Sequence, residues 1–211
     1  MKTSSKNKAN YITIMGILAI VLIIFSATPI GSIPIGPLCI TLNVIPVAIA
    51  GVILGRLGGS IMGGVFGLLS FLQCFGIGVP SSFGAILLEN NVFFAFIVCV
   101  VSRVLAGFLT GCVKNLLRKK VNPYVVSLIT GFSAAFLNTL FFMTSLVLLF
   151  GQTDYLQHMM GEQNVFIFIC NFVGINAVVE MFTATAVTGI ICTALYKSKL
   201  IDVNNASNQL A

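Results

Sequence analysis

Two ionisable side chains, Arg103 and Glu180, lie inside long apolar runs and are the residues best placed to do chemistry. Arg103 lies in the run Val92–Leu117, and Glu180 lies in the run Val165–Tyr196. If such runs cross a membrane, an arginine near the centre costs between about 2.5 and 17 kcal/mol and needs a compensating partner. Two hypotheses follow. Either Arg103 pairs with Glu180 in an inert bundle, or these side chains face a cavity and hold a polar substrate.

Polar and small residues recur at helical spacing around these two side chains. Positions four or seven apart lie on one side of a helix, so Asn176, Glu180 and Thr183 form one stripe. Asn138 lies on a similar stripe with Gly131. The stripe that contains Arg103 consists of Cys99, Arg103, Gly107, either Thr110 or Gly111, and Lys114. We expect these three faces to point into a helical bundle.

Gly59, Gly63 and Gly67 lie four residues apart in another apolar run. Small residues repeated at this spacing allow two helix backbones to approach closely in lipid. The pattern therefore predicts a helix that packs tightly against a neighbour.

The other reactive side chains do not form a catalytic or metal-binding pattern. No two cysteines have C-x-x-C spacing, so the pattern is not that of a zinc site, and we interpret the cysteines as small core residues. Without paired carboxylates or a nucleophile–base arrangement, the sequence predicts no catalytic residue, no metal and no cofactor. The residues concerned are Cys39, Cys74, Cys99, Cys112, Cys170, Cys192 and the single histidine, His158.

The composition excludes a soluble domain. Of 211 residues, 58% are hydrophobic and 8% are charged, with a mean hydropathy of +1.08, whereas soluble domains carry about 25% charged residues. The net charge of +6 comes from residues that flank apolar runs, and there is no basic stripe with interleaved aromatics. We therefore predict an all-α integral membrane protein that does not bind nucleic acid.

Six segments approach the length of about 20 apolar residues that a membrane-spanning helix needs. We predict one membrane domain over residues 1–211, with a tail at 1–10, a bundle of six transmembrane helices at 11–196 and a tail at 197–211. The first segment is too long for a cleaved signal peptide, so we expect it to stay as a helix. The six segments are Tyr11–Ile30, Leu42–Leu57, Ser60–Phe75, Val92–Leu117, Pro123–Phe150 and Val165–Tyr196.

The basic residues predict the orientation. Lys and Arg collect in cytoplasmic connections, and six crossings put every basic connection on one side, so that both termini are cytoplasmic. The outer loops are then 31–41, 76–91 and 151–164, and the middle one, with the sequence VPSSFGAILLENN, is expected to form a short re-entrant or lid-like helix. The basic residues used are Lys2, Lys6, Lys8, Arg56, Arg118, Lys119, Lys120, Lys197 and Lys199.

Several of these segments together resemble a known family. The run NVIPVAIAGVILGRLGGSIMGGVFGLLSFLQ, from Asn43 to Gln73, is similar to the second and third helices of the substrate-binding (S) components of energy-coupling factor (ECF) transporters. SRVLAGFLTG from Ser102, FLNT from Phe136 and NAVVE from Asn176 agree with it. The nearest group is the pantothenate type.

The resemblance implies a subunit of the prokaryotic plasma membrane that captures a vitamin, such as pantothenate, at the outer face. It implies as partners a membrane scaffold subunit and two ATPase subunits, and the chain itself has no G-x-x-x-x-G-K-[ST] phosphate loop. Arg103 would then hold the carboxylate of pantothenate, and Glu180 would orient Arg103 or accept from a hydroxyl. The other predicted substrate-binding residues are Asn138, Asn176, Asn43 and Gln73.

The alternative function is a self-sufficient, proton-coupled secondary transporter of a small polar solute. Glu180 would then be the candidate proton carrier. The chain shows no evident inverted repeat, so that alternating access would require a dimer.

Overall fold

Long helices make up most of the chain in the computed structural model, which describes residues 2–29, 31–35, 38–153, 157–158 and 165–198. The described elements in chain order are α1 (Lys2–Ala27), β1 (Ser32–Ile35), β2 (Leu38–Thr41), α2 (Val44–Cys74), α3 (Ser82–Asn90), α4 (Val92–Phe96), a π-helical turn (Ile97–Val101), α5 (Ser102–Leu117), α6 (Pro123–Phe150) and α7 (Val165–Lys197).

In the described part of the chain, five helical stretches are long and apolar enough to cross a membrane. The prediction of a helical, multi-pass membrane protein is therefore confirmed, and the predicted bounds 92–117 and 123–150 agree with the structure. The first helix begins at Lys2 rather than Tyr11, since its polar start contains no proline or glycine that would stop a helix. The five stretches are Ala9–Ala27, Val44–Cys74, Val92–Leu117, Pro123–Phe150 and Asn176–Lys197.

The second and third predicted segments form one helical element, α2, that reverses direction at Gly55. This residue has φ 72 and ψ −154, a conformation that glycine adopts without steric cost. A Cβ added to Gly59 would lie 3.5 Å from the Cα of Gly51, although eight residues of straight helix cover about 12 Å. The halves 44–54 and 56–74 therefore lie side by side at their junction. The turn expected over residues 55–59 consists of Gly55 alone, and residues 56–59 are helical.

The first predicted outer loop contains a two-stranded hairpin, while all the described membrane-spanning stretches are helical. Strands β1 and β2 pair antiparallel, with Ser32 opposite Thr41 and Ile35 opposite Leu38. The backbone N–H of Leu42 extends the pairing by donating to the carbonyl of Gly31 over 3.0 Å. Isoleucine, leucine and threonine in the two strands favour this structure.

The buried faces agree with the predicted stripes except at one position. Arg103, Gly107, Gly111 and Lys114 are buried on α5. On α7 the buried stripe continues from Glu180 to Ala184 rather than to Thr183, because α7 packs along its four-residue ridge. That ridge, buried against its neighbours at every fourth position, consists of Asn176, Glu180, Ala184, Thr188 and Cys192.

Helices α2 and α5 approach each other through glycines, as predicted. A Cβ on Gly59 would clash with the carbonyl oxygen of Gly107, and one on Gly63 would clash with that of Arg103. A Cβ on Gly67 would lie 2.7 Å from the Cα of Val100. The segment that carries Arg103 is thus fixed by direct contact between backbones.

We expect Gly63→Ala to destabilise the protein by about 1–3 kcal/mol, since the new methyl group would press on the backbone of Arg103. Gly64→Ala is the matched control, because its Cβ would lie 3.6 Å from a methyl group of Val104. That variant should be neutral or gain up to about 1 kcal/mol from helix propensity. Thermal unfolding in detergent measures both, and equal melting temperatures for the two variants would contradict the close packing.

Candidate functional site

A cavity of about 140 Å³ lies among the helices, next to the C-terminal end of α2. Helix α3 forms one wall, and the π turn, α5, α6 and α7 form the others. The lining residues are Thr41, Ser70, Gln73, Cys74, Val79, Pro80, Ser81, Phe83, Gly84, Leu87, Cys99, Arg103, Asn138, Thr139, Phe142, Asn176, Ala177 and Glu180.

Arg103 is held by the π turn that precedes it. Its Nη1 donates to the carbonyl oxygens of Val98, at 3.1 Å, and of Cys99, at 3.0 Å. A π turn pairs residues five apart and displaces its carbonyls from the usual α-helical pairing, which leaves these oxygens able to accept from a side chain. The π turn therefore sets the position of the guanidinium at the cavity wall.

Two aromatic rings flank the same guanidinium. Its Cζ lies 4.8 Å from the ring centroid of Phe66 and 5.1 Å from that of Phe142. Cation–π attraction of this kind is worth about 2 kcal/mol when the cation is desolvated. It offsets part of the cost of burying Arg103, which is 8% exposed.

Among the residues that the structure describes, none is a hydrogen-bond partner for the remaining edge of the guanidinium. Nε is buried without a hydrogen bond, and no residue that the structure describes accepts a bond from Nη2. Arginine has five N–H donors in a rigid fork, and a carboxylate fits the parallel donors of such an edge. Nε and Nη2 therefore keep donor capacity that an anion bound beside Arg103 could use.

Glu180 bonds the end of the hairpin rather than Arg103. Its Oε1 accepts from the backbone N of Thr41 over 2.7 Å and from Thr41 Oγ1 over 3.1 Å. Within the described ranges, no ion pair joins Glu180 to Arg103, although both side chains line the cavity. The two charges thus lie in one cavity without neutralising each other by direct contact.

Four other predicted site residues were expected beside these charges, and three of them line the cavity. Asn138 and Asn176 are buried, and their side-chain amide groups form no hydrogen bond with another described residue. Gln73 also lines the cavity, while its Nε2 donates to the carbonyl of Ser26 over 2.9 Å. Asn43 is buried at the start of α2 but is not a lining residue.

Helix α3 is the short helix predicted in the second outer loop. Ser81 caps it by accepting a hydrogen bond from Gly84 N over 3.0 Å, as an N-cap serine does. A Cβ on Gly84 would lie 2.5 Å from Cys74 Sγ, so α3 rests directly on the end of α2. With Phe83 and Leu87 it closes one side of the cavity.

Sequence reasoning did not single out several polar lining residues. Thr41 was treated only as the end of a loop, and its bond to Glu180 joins residues 139 positions apart. Thr139 directly follows Asn138, so the FLNT motif offered a signal for it. The two cysteines of the lining, Cys74 and Cys99, were predicted as core residues, and both are buried. Among the described residues, no group of three or more His, Cys, Asp or Glu side chains could hold a metal ion.

Comparisons with known proteins cover nearly the whole chain. The family model described as "ECF transporter, substrate-specific component" matches residues 10–192, which include every lining residue of the cavity. The "Pantothenate transporter PanT" of Leuconostoc mesenteroides subsp. mesenteroides is 28% identical over 209 residues, covering 94% of this chain and 96% of that protein. Both descriptions are of transporters, in agreement with the prediction that the chain is not an enzyme.

Proposed function

Because the chain belongs to the family of ECF transporter substrate-specific components, we propose that it captures pantothenate at the outer face of the membrane for ATP-driven uptake. It is a multi-pass membrane protein of a transport family. The similarity to a protein named as a pantothenate transporter supports this substrate among the vitamins.

The observation that carries the proposal is that the Nε–Nη2 edge of Arg103 has no partner among the described residues. The cavity beside it is also lined by the uncharged side-chain amides of Asn138, Asn176 and Gln73. Pantothenate has one carboxylate at one end, an amide in the middle and two hydroxyls at the other end. Its carboxylate would accept two parallel hydrogen bonds from Arg103. The anion would thereby neutralise a cation that the protein leaves without an ion-pair partner within the described residues.

The other end of the substrate would meet Glu180 and the two asparagines. An ionised carboxylate only accepts hydrogen bonds, so Glu180 suits the hydroxyls of pantothenate and repels a second anionic group. Asn138 and Asn176 offer both donors and acceptors to the amide and hydroxyl groups. Gln73, whose amide already bonds Ser26, contributes its remaining polar atoms to the wall.

We further propose the topology and the partners that such a subunit requires. The reversal at Gly55 supports six passes in a single domain over residues 1–211, with both termini cytoplasmic as the basic residues predict. Because the sequence has no phosphate loop, the energy would come from two ATPase subunits coupled through a membrane scaffold subunit.

A thermal-shift screen of the purified protein against B vitamins and their precursors tests the substrate. We expect pantothenate to raise the melting temperature, since a ligand at 100 times its Kd stabilises the folded state by about 2.7 kcal/mol. Panthenol, in which an alcohol replaces the carboxylate, is the matched ligand and should have a much smaller effect. Equal stabilisation by both compounds would show that Arg103 does not recognise the carboxylate. Stabilisation by another vitamin, but not by pantothenate, would identify that vitamin as the substrate instead.

Uptake into vesicles tests the energy source. The protein alone should bind pantothenate without accumulating it, and accumulation should require the ATPase and scaffold subunits with ATP. Accumulation by this chain alone, driven by a proton gradient and abolished by an uncoupler, would instead establish a secondary transporter.

A further inference from the structure

Two thiols meet in the cavity wall. The Sγ atoms of Cys74, at the end of α2, and Cys99, in the π turn, are 3.8 Å apart. Both cysteines are free and buried, and both line the cavity. Cys74 Sγ also donates to the carbonyl of Ser70 over 3.3 Å. The pair therefore joins two separate helical elements at the site itself.

We propose that Cys74 and Cys99 form an oxidisable dithiol whose closure to a disulfide weakens ligand binding. Hydrogen peroxide supplies the oxidising equivalents. It converts one thiol to a sulfenic acid with release of one water, and the second thiol then attacks that sulfur and displaces a second water. The net change is two thiols and one peroxide giving one disulfide and two waters.

The geometry favours this pair over the other described cysteines. A disulfide requires its sulfurs to lie about 2.05 Å apart, and the observed separation of 3.8 Å needs a movement of under 2 Å. Hydrogen peroxide is close to water in size, and a cavity of about 140 Å³ holds several waters at about 30 Å³ each. Cys112 and Cys192 are free but do not line the cavity.

Closure would disturb two walls at once. The carbonyl of Cys99 accepts from Arg103 Nη1, so that a shift of Cys99 moves the guanidinium. Cys74 supports α3 through its contact with Gly84, so that a shift of Cys74 moves that helix. This part of the inference rests on the proposed function, because the ligand whose affinity falls is pantothenate.

The test uses the purified full-length protein, reduced or treated with hydrogen peroxide, in three forms. One form is the natural sequence. The second retains only Cys74 and Cys99 through substitution of the other four cysteines by serine, and the third is Cys99→Ala. Mass spectrometry of digested protein identifies the bond, and calorimetry gives the Kd for pantothenate before and after oxidation.

After oxidation, we expect the first two forms to lose two hydrogen atoms and to yield a disulfide-linked pair of peptides that contain Cys74 and Cys99. Their Kd for pantothenate should rise about tenfold, as for the loss of one charge-assisted hydrogen bond. A reductant should restore their affinity. Cys99→Ala should keep its own affinity after oxidation. The Cys74→Ala variant serves the same purpose if Cys99→Ala does not fold.

Two results would overturn the inference. One is the absence of the Cys74–Cys99 bond after oxidation, which mass spectrometry detects whether or not the reduced protein binds pantothenate. The other is a disulfide that leaves the Kd unchanged. If the reduced protein binds no pantothenate, the proposed function is contradicted. The mass measurement still shows whether Cys74 and Cys99 form a disulfide.

Discussion

Replacing Arg103 with glutamine is expected to weaken pantothenate binding strongly while leaving the unliganded protein as stable as before or more stable. Loss of a buried, hydrogen-bonded charge partner costs about 2–5 kcal/mol, which corresponds to a Kd about 30 to several thousand times higher. The unliganded fold should not suffer, because the variant removes a buried cation that has no ion pair among the described residues. Calorimetry and thermal unfolding measure the two quantities separately.

Two further variants serve as controls for Arg103→Gln. Arg56→Gln changes an exposed arginine on α2 and should leave the Kd unchanged. Arg103→Lys keeps the charge but loses the planar fork, so it should recover only part of the affinity. If Arg103→Gln binds pantothenate normally, or if it loses binding together with a large drop in melting temperature, Arg103 is a structural residue.

Glu180→Ala is expected to weaken pantothenate binding by about 10- to 100-fold, in line with about 1–3 kcal/mol for a donor that loses its acceptor. The donor concerned is a hydroxyl of pantothenate, which in the proposed complex bonds Glu180, whereas the backbone N–H of Thr41, now 2.7 Å from Glu180 Oε1, would lose its acceptor with or without ligand. Glu180→Gln keeps an acceptor oxygen and should show a smaller loss. The Kd for pantothenate distinguishes the two variants.

Glu89→Ala is the matched control, since Glu89 lies exposed on α3 and should bind pantothenate normally. Unaltered affinity in Glu180→Ala would show that neither the carboxylate nor its bond to Thr41 shapes the site. Normal binding by Glu180→Gln with loss of proton-driven transport would favour the secondary transporter.

The sequence was most informative where apolar context isolates a polar residue. Arg103, Glu180, Asn138 and Asn176 stand out because burying them in an apolar run needs a reason, and the structure gathers them around one cavity. Helical spacing also predicted the face of α5, since it depends only on neighbours along the helix.

Features that depend on distant partners or on unusual backbone were not predictable. The bond from Thr41 to Glu180 crosses 139 positions, and no local pattern encodes it. The π turn has no composition that separates it from an α-helix, yet it supplies the acceptors of Arg103. Asn43 has a polar side chain that could bind a substrate, but it is not among the residues that line the cavity.

The π turn also keeps the two ends of its helix in phase. It accommodates about one extra residue, and one residue corresponds to about 100° of rotation around a helix axis. If the turn became α-helical with all its residues kept, the side chains that precede it would rotate by that angle relative to α5. Ala95, now fully buried, would leave the core, and Phe93, now 67% exposed, would change its environment. Deleting one residue between Ile97 and Val101 would instead give an uninterrupted α-helix with the same faces, so relatives with one residue fewer in this interval would still present the matching side chains to helix α3.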